Sequence, residues 1–262
     1  FEFVPGNRKA VHHAELLANS ATDLIPIRKD DTLKMLVTYS YEGANFFRGY
    51  DYVTGWLPGN TIESFPAGVA KKLPMKDDYI FLIHYPPAPV EQTDSSVLYV
   101  YKSQRKPDRY LETVELHGAY DIENGPLMIA ANTVKTFHAK NTVEADFSVF
   151  AILPHAHHLC KRMLAYAVTP AHDTIQLLRI NAWDFDWQYT YKFPRYIKLQ
   201  AGTVVHFFAT YDNTNNNPEN PYNPPRDIYS SFNANDEMME LFLLGVPYQQ
   251  GDENQPLKYE LE

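Results

Sequence analysis

Trp183-Asp184-Phe185-Asp186-Trp187-Gln188-Tyr189-Thr190-Tyr191-Lys192-Phe193 places an aromatic residue at every second position and a polar one between. Side chains two apart on a strand share a face, so this alternation predicts a half-buried β-strand over 183–193. Its aromatic row is expected to be core, with lining of a substrate pocket as the second reading. Outward from it lie more runs of the same kind. Thr174–Ile180, Met163–Val168, Ala145–Leu153, Val134–His138 and Leu127–Ala131 precede it. Val204–Tyr211 follows, apolar on both faces, and the run opening at Asn235 leads into a last strand through Leu244. Nearer the N-terminus, Phe1–Val4, Leu33–Tyr39 and Val97–Tyr101 are strand-like, and Tyr79–Tyr85 has the composition of a buried central strand stopped by Pro86-Pro87.

No helical periodicity and no internal repeat interrupts this series, so the fold class is all-β. Asp212–Pro225 holds too much Asn and Pro for a strand or a helix and is expected to be a long loop. The charged, proline-broken run Lys102–Arg109 marks a connector, giving domains 1–108 and 109–262. The polar tail from Gln249 is expected to fray.

Composition narrows the function classes. The chain has 262 residues, ample for two domains, and a formal net charge of -9 that disfavours phosphate backbones, so nucleic acid is not an expected partner. A single cysteine, Cys160, excludes an intrachain disulfide framework and a cysteine-based zinc cluster. No apolar run is long enough for a transmembrane helix.

The chemistry gathers at Leu153-Pro154-His155-Ala156-His157-His158-Leu159-Cys160. On a strand His155 and His157 point to one side while His158 faces away, so two imidazoles present half a metal site. Solvated rings at a strand end are the bland alternative. His12-His13 is a weaker signal, because adjacent residues of an ideal strand face opposite ways and share an ion only at a bulge, twist or strand end. His84 ends the buried run Tyr79–Tyr85 and must there be hydrogen-bonded or ligated.

Taken together these pieces resemble the copper type II, ascorbate-dependent monooxygenases, the family of peptidylglycine α-hydroxylating monooxygenase and dopamine β-hydroxylase, and more closely their bacterial relatives. The matching residues are Pro5-Gly6-Asn7-Arg8-Lys9 before His12-His13, His84-Tyr85, His155-x-His157-His158-Leu159, Asp212-Asn213 with its Asn/Pro loop, and Asp236-Glu237-Met238. Their intervals are 71 residues from 13 to 84, 71 from 84 to 155 and 81 from 157 to 238.

The resemblance implies two antiparallel jelly-roll-like β-sandwich domains and two copper ions. His12, His13 and His84 would hold an electron-transfer copper. His155, His157 and Met238 would hold a catalytic one, where dioxygen binds and a C–H bond of a small-molecule or peptide substrate is hydroxylated. Ascorbate or a redox protein would supply electrons, and the family places such proteins outside the cytoplasm, in the periplasm, at the cell surface or secreted. The donor sets suit this division, since a soft thioether favours Cu(I) and three imidazoles accommodate both oxidation states. Relative to the family the first domain lacks its N-terminal strands; either an upstream segment or redox domain completes it, or this member has a reduced first domain.

Departures from the pattern bear on substrate. Leu153 stands where peptidylglycine-processing members carry a carboxylate-binding Arg, and Glu240 and Phe242 stand where they carry Asn and Tyr, so a C-terminal glycine is a poor fit. Cys160 replaces the usual Gly and is expected to be a packed thiol. Zinc at the three-histidine cluster is a further alternative. So is a non-catalytic copper-binding or structural jelly-roll module of an extracellular or surface assembly.

Overall fold

The structure is a computed structural model and describes residues 1–19, 50–57, 59–60, 62–73, 78–85, 88–118, 120–231, 233 and 235–259. In chain order the strands are β1 (Glu2–Val4), β2 (His13–Asn19), β3 (Tyr50–Trp56), β4 (Val69–Ala70), β5 (Asp78–His84), β6 (Val97–Tyr99), β7 (Arg109–Tyr110) and β8 (Glu112–His117). There follow β9 (Met128–Ile129), β10 (Thr133–Thr142), β11 (Phe147–Ala156), β12 (Cys160–Val168), β13 (Thr174–Ile180), β14 (Tyr191–Leu199), β15 (Val204–Asn213), β16 (Ile228–Tyr229) and β17 (Met239–Pro247). The described residues contain no α-helix, only a 3-10 turn at Asp252–Asn254. The expected strand at Leu33–Tyr39 lies outside the described residues.

The chain forms two compact units, one of residues 1–65 and 72–106 with the terminal 260–262, the other of 66–71 and 107–259. Residues 66–71, expected in the first domain, belong to the second unit because β4 pairs in parallel with β7. In the first unit β2 is the centre of a three-stranded antiparallel sheet in the order β3-β2-β5. Ala14 and Trp56 face each other across it and pack with Phe3 and Val11 as a small core.

The second unit is a sandwich of two four-stranded antiparallel sheets, β10-β15-β12-β13 and β14-β11-β17-β8. Period-2 patterning fills the space between them: Phe137, Ala165, Phe207 and Ala209 come from one sheet, and Val149, Ile152, Leu241 and Leu243 from the other. Burial of this apolar set is the main stabilising contribution, at roughly 1.5–3 kcal/mol for each large side chain. In the second sheet β17 lies between β11 and β8, with His155 opposite Glu240 and Glu240 opposite His117. Inward-facing Leu116, Ala156, Met239 and Leu241 therefore alternate with outward-facing His117, His155 and Glu240.

Two sequence expectations are corrected here. The aromatic alternation of 183–193 is not one strand: β14 starts only at Tyr191. The Asp residues that made the pattern look amphipathic are turn formers. The Asp184 carboxylate accepts the Asp186 N–H at 2.9 Å and its carbonyl accepts the Trp187 N–H at 3.1 Å. This turn inverts the parity, burying Gln188 (1% exposed) and exposing Trp187 (57%) and Tyr189 (41%). The tail also departs from the fraying expected of it. Asp252 is buried, accepting from Arg109 and from the Ser148 hydroxyl at 2.6 Å each, and the Tyr259 hydroxyl donates to the Phe150 carbonyl at 2.9 Å.

Candidate metal centres

His12 and His13 meet at the start of β2, a strand end where neighbouring side chains can converge. The His12 N–H donates to the His84 carbonyl at 2.9 Å, and His13 lies directly opposite His84 in the β2–β5 register. Upstream, the Asn7 carbonyl accepts the Ala10 and Val11 N–H groups at 3.0 Å each, and the Asn7 N–H donates to Asp94 at 2.8 Å, tying the approach to the histidine pair. The three rings lie 4.7 to 5.8 Å apart, centroid to centroid, and one donor nitrogen of each falls within 4.8 Å of the others. The Nδ1 atoms of His12 and His13 are 3.0 Å apart. Two nitrogens on one ion at bonds of about 2 Å have that spacing. Burial lowers the pKa of His84, keeping the lone pair that a ligand needs.

In the second unit His155 lies at the end of β11 and His157 just beyond it, their rings 5.2 Å apart. Each ring is fixed through Nδ1. The His155 Nδ1 donates to the Gln188 side-chain oxygen at 2.6 Å, and the amide orientation is set because Gln188 Nε2 donates to the Phe185 carbonyl at 3.0 Å. The His157 Nδ1 donates to the Asp236 carbonyl at 3.0 Å. Both acceptors are oxygens that only accept, so Nδ1 carries the proton and Nε2 the lone pair in each ring. That outer partnership orients metal-bound imidazoles and raises their basicity.

Met238 sits immediately before β17, next to Met239, which pairs with Ala156 between the two histidines. Glu237, wholly buried, fixes the backbone there by accepting N–H groups from His157 (2.9 Å), Leu159 (2.6 Å) and Met238 (3.2 Å). Burial pushes its carboxyl up to about 8 against those three donors, which pull the other way. From the opposite sheet the buried Tyr211 hydroxyl donates to the Met238 carbonyl at 2.8 Å.

His158 turns from the pair and packs on Phe185 at 3.9 Å between ring centroids. Cys160 is buried in the core cluster, and burial pushes its thiol well above the usual range. Leu153 and Phe242 face each other across β11 and β17 as a buried apolar pair. Pattern reading missed Gln188, which holds the His155 ring, and Glu237, which ties the His157–Leu159 turn to Met238. The one signal for Gln188 was a polar side chain among aromatics beside two turn-forming Asp residues; Glu237 was quoted only as part of the Asp236-Glu237-Met238 motif.

One unit carries the imidazole pair His155 and His157 on a segment that Glu237 ties to the backbone of Met238, and the other carries three converging imidazoles; imidazole and thioether are donors that copper accepts. A sequence profile described as copper type II ascorbate-dependent monooxygenase, C-terminal domain, matches residues 111–249, more than half of the chain. The chain belongs to the copper type II ascorbate-dependent monooxygenase family. No curated protein matches it. Among solved structures it is similar to the VP2 subviral particle of infectious bursal disease virus, at 10% identity and TM-score 0.26, covering 97% of this chain and 56% of that one. A T13 viral particle of the same virus gives 10% identity and TM-score 0.22, covering 95% and 62%. The chain thus spans less than two thirds of the length of these two proteins.

Proposed function

We propose that this protein is a copper-dependent monooxygenase that hydroxylates a C–H bond of an organic substrate with dioxygen and an external reductant, ascorbate or a redox protein. The observation that carries this is the pair His155 and His157, each donating its Nδ1–H to an oxygen and keeping the Nε2 lone pair, with Glu237 binding the backbone N–H groups of both His157 and Met238. The donors fit copper: three imidazoles in one unit, two imidazoles and a thioether in the other, with nothing hard enough to favour magnesium or calcium. Copper, when bound, supplies one-electron redox chemistry and activation of dioxygen.

The chain's own residues prepare the sites. Gln188 and the Asp236 carbonyl hold the His155 and His157 rings, limiting the reorganisation needed on binding. Glu237 locks the His157–Leu159 turn to the segment bearing Met238. Leu153 and Phe242, buried opposite each other next to His155, stand where peptidylglycine-processing members carry polar groups, which favours an apolar over a carboxylate-bearing reacting end. No helix of the described residues is long and apolar enough to cross a membrane. Residence outside the cytoplasm belongs to the same proposal and rests on the family.

The test is copper stoichiometry with oxygen uptake. Two coppers per chain and ascorbate-dependent oxygen consumption are expected, and Met238→Leu should suppress turnover at least tenfold while the three-histidine copper stays. A copper-loaded protein that consumes no oxygen with any donor would favour a copper-binding module without catalysis.

A further inference from the structure

Outside the two candidate copper centres, the outer face of the β14-β11-β17-β8 sheet carries another set of donor atoms. His117 on β8 and Glu240 on β17 are directly opposite in register, and His117 Nε2 lies 3.1 Å from Glu240 Oε1. Glu115, two residues earlier on β8, shares their face. One donor atom from each of Glu115, His117 and Glu240 falls within 4.8 Å of the others. We propose that these three residues form a third metal site, for a borderline divalent cation of the zinc type.

Geometry supports this. Two carboxylates converge on one imidazole, and the His117 backbone N–H donates to the Asp121 carboxylate at 2.6 Å, which fixes the main chain at the histidine. The His117–Glu240 spacing is that of two ligands on one ion with bonds of about 2 Å, and Glu240 is buried, so that half of the site is already in place. Glu115, which is exposed, brings the third donor atom to the cluster. One imidazole and two carboxylates without sulfur suit zinc or cobalt, and suit Cu(I) poorly. The site continues the cross-strand row His155–Glu240–His117, which sets it beside the candidate oxygen centre without sharing a ligand with it.

The experiment loads the whole chain with Cu(I) under a reductant without oxygen, removes excess, and titrates Zn²⁺ with native mass spectrometry as the count. In parallel, Co²⁺ is followed by its visible absorption. One further divalent ion per chain is expected. Its affinity should fall at least tenfold in Glu115→Gln and in His117→Ala, with bound copper unchanged in both. Because Glu115 is exposed, E115Q keeps the fold and carries the test if H117A does not. Absence of a further ion, or one whose affinity E115Q leaves unaltered, overturns the proposal. The inference stands apart from the copper reading: a chain that takes no copper but binds Zn²⁺ in an E115Q-sensitive manner sinks only the latter.

Discussion

Gln188 shows how much a single side chain decides. Its carbonyl oxygen fixes the His155 ring while its amide nitrogen is held by Phe185, so the histidine is orientated before any ion arrives. Gln188→Leu keeps the volume and deletes the acceptor. Copper affinity at the His155–His157 centre should fall about 10–100-fold, the range for loss of such an outer partner. The three-histidine centre, on the other unit, should be unaffected. Competition titration with a Cu(I) chelator measures both. Glu237→Ala leaves three backbone N–H groups without the acceptor they now have; at about 1–3 kcal/mol for each one left unsatisfied, thermal unfolding should show a loss of several kcal/mol. At this scale the sequence was legible in part. His-x-His announced its convergence through strand parity, whereas Gln188 and Glu237 act through partners 33 and 80 residues away, a proximity that no local pattern encodes.

Elements tell a mixed story for the same reason. The strands Met163–Val168, Thr174–Ile180 and Val204–Tyr211 were visible because their alternation or uninterrupted apolarity has no competing local explanation, and β12, β13 and β15 cover them. The 183–193 alternation misled because aspartates at even spacing serve equally as solvent-facing strand residues and as turn formers; the Asp184 hydrogen bonds decided for the turn. A β-bulge between Val149 and Ala151 likewise re-aims β11 against β17. Opposite it, Gly245 permits close approach: a Cβ there would meet the Phe147 ring and the Ser148 carbonyl oxygen at 2.5 Å. Gly245→Ala is therefore predicted to cost about 1–3 kcal/mol, read from chemical denaturation, as overpacking in a filled interior does. An unchanged midpoint would show that the two strands yield more easily than their packing indicates.

Across the whole molecule, the order of motifs carried the family assignment and the two-centre expectation, while the closing segment was misjudged because polar composition says nothing about an ion pair made at long range. Arg109 and Asp252, 143 residues apart, are held at 2.6 Å with side-chain exposures of 15% and 3%. Arg109→Met leaves a buried carboxylate without its cation and should destabilise the protein by about 3–5 kcal/mol. Burial alone would raise the Asp252 pKa, but Arg109, Ser148 and the Gln249 N–H outweigh it and hold the carboxyl below its ordinary value. The folded state then binds fewer protons than the unfolded chain near and below the ordinary aspartate range. The stabilisation is present above that range and is lost as pH falls through the depressed value. Melting temperature followed from pH 5 down to pH 3 should drop more steeply in the native protein than in Asp252→Asn.

The central claim is that Met238 completes a copper centre with His155 and His157. X-ray absorption at the copper edge of the reduced, copper-loaded chain tests it most directly. The account predicts a sulfur scatterer alongside imidazole nitrogen, and its disappearance in Met238→Leu with the nitrogen shells retained. A spectrum with nitrogen and oxygen neighbours alone, unchanged by that substitution, would contradict it.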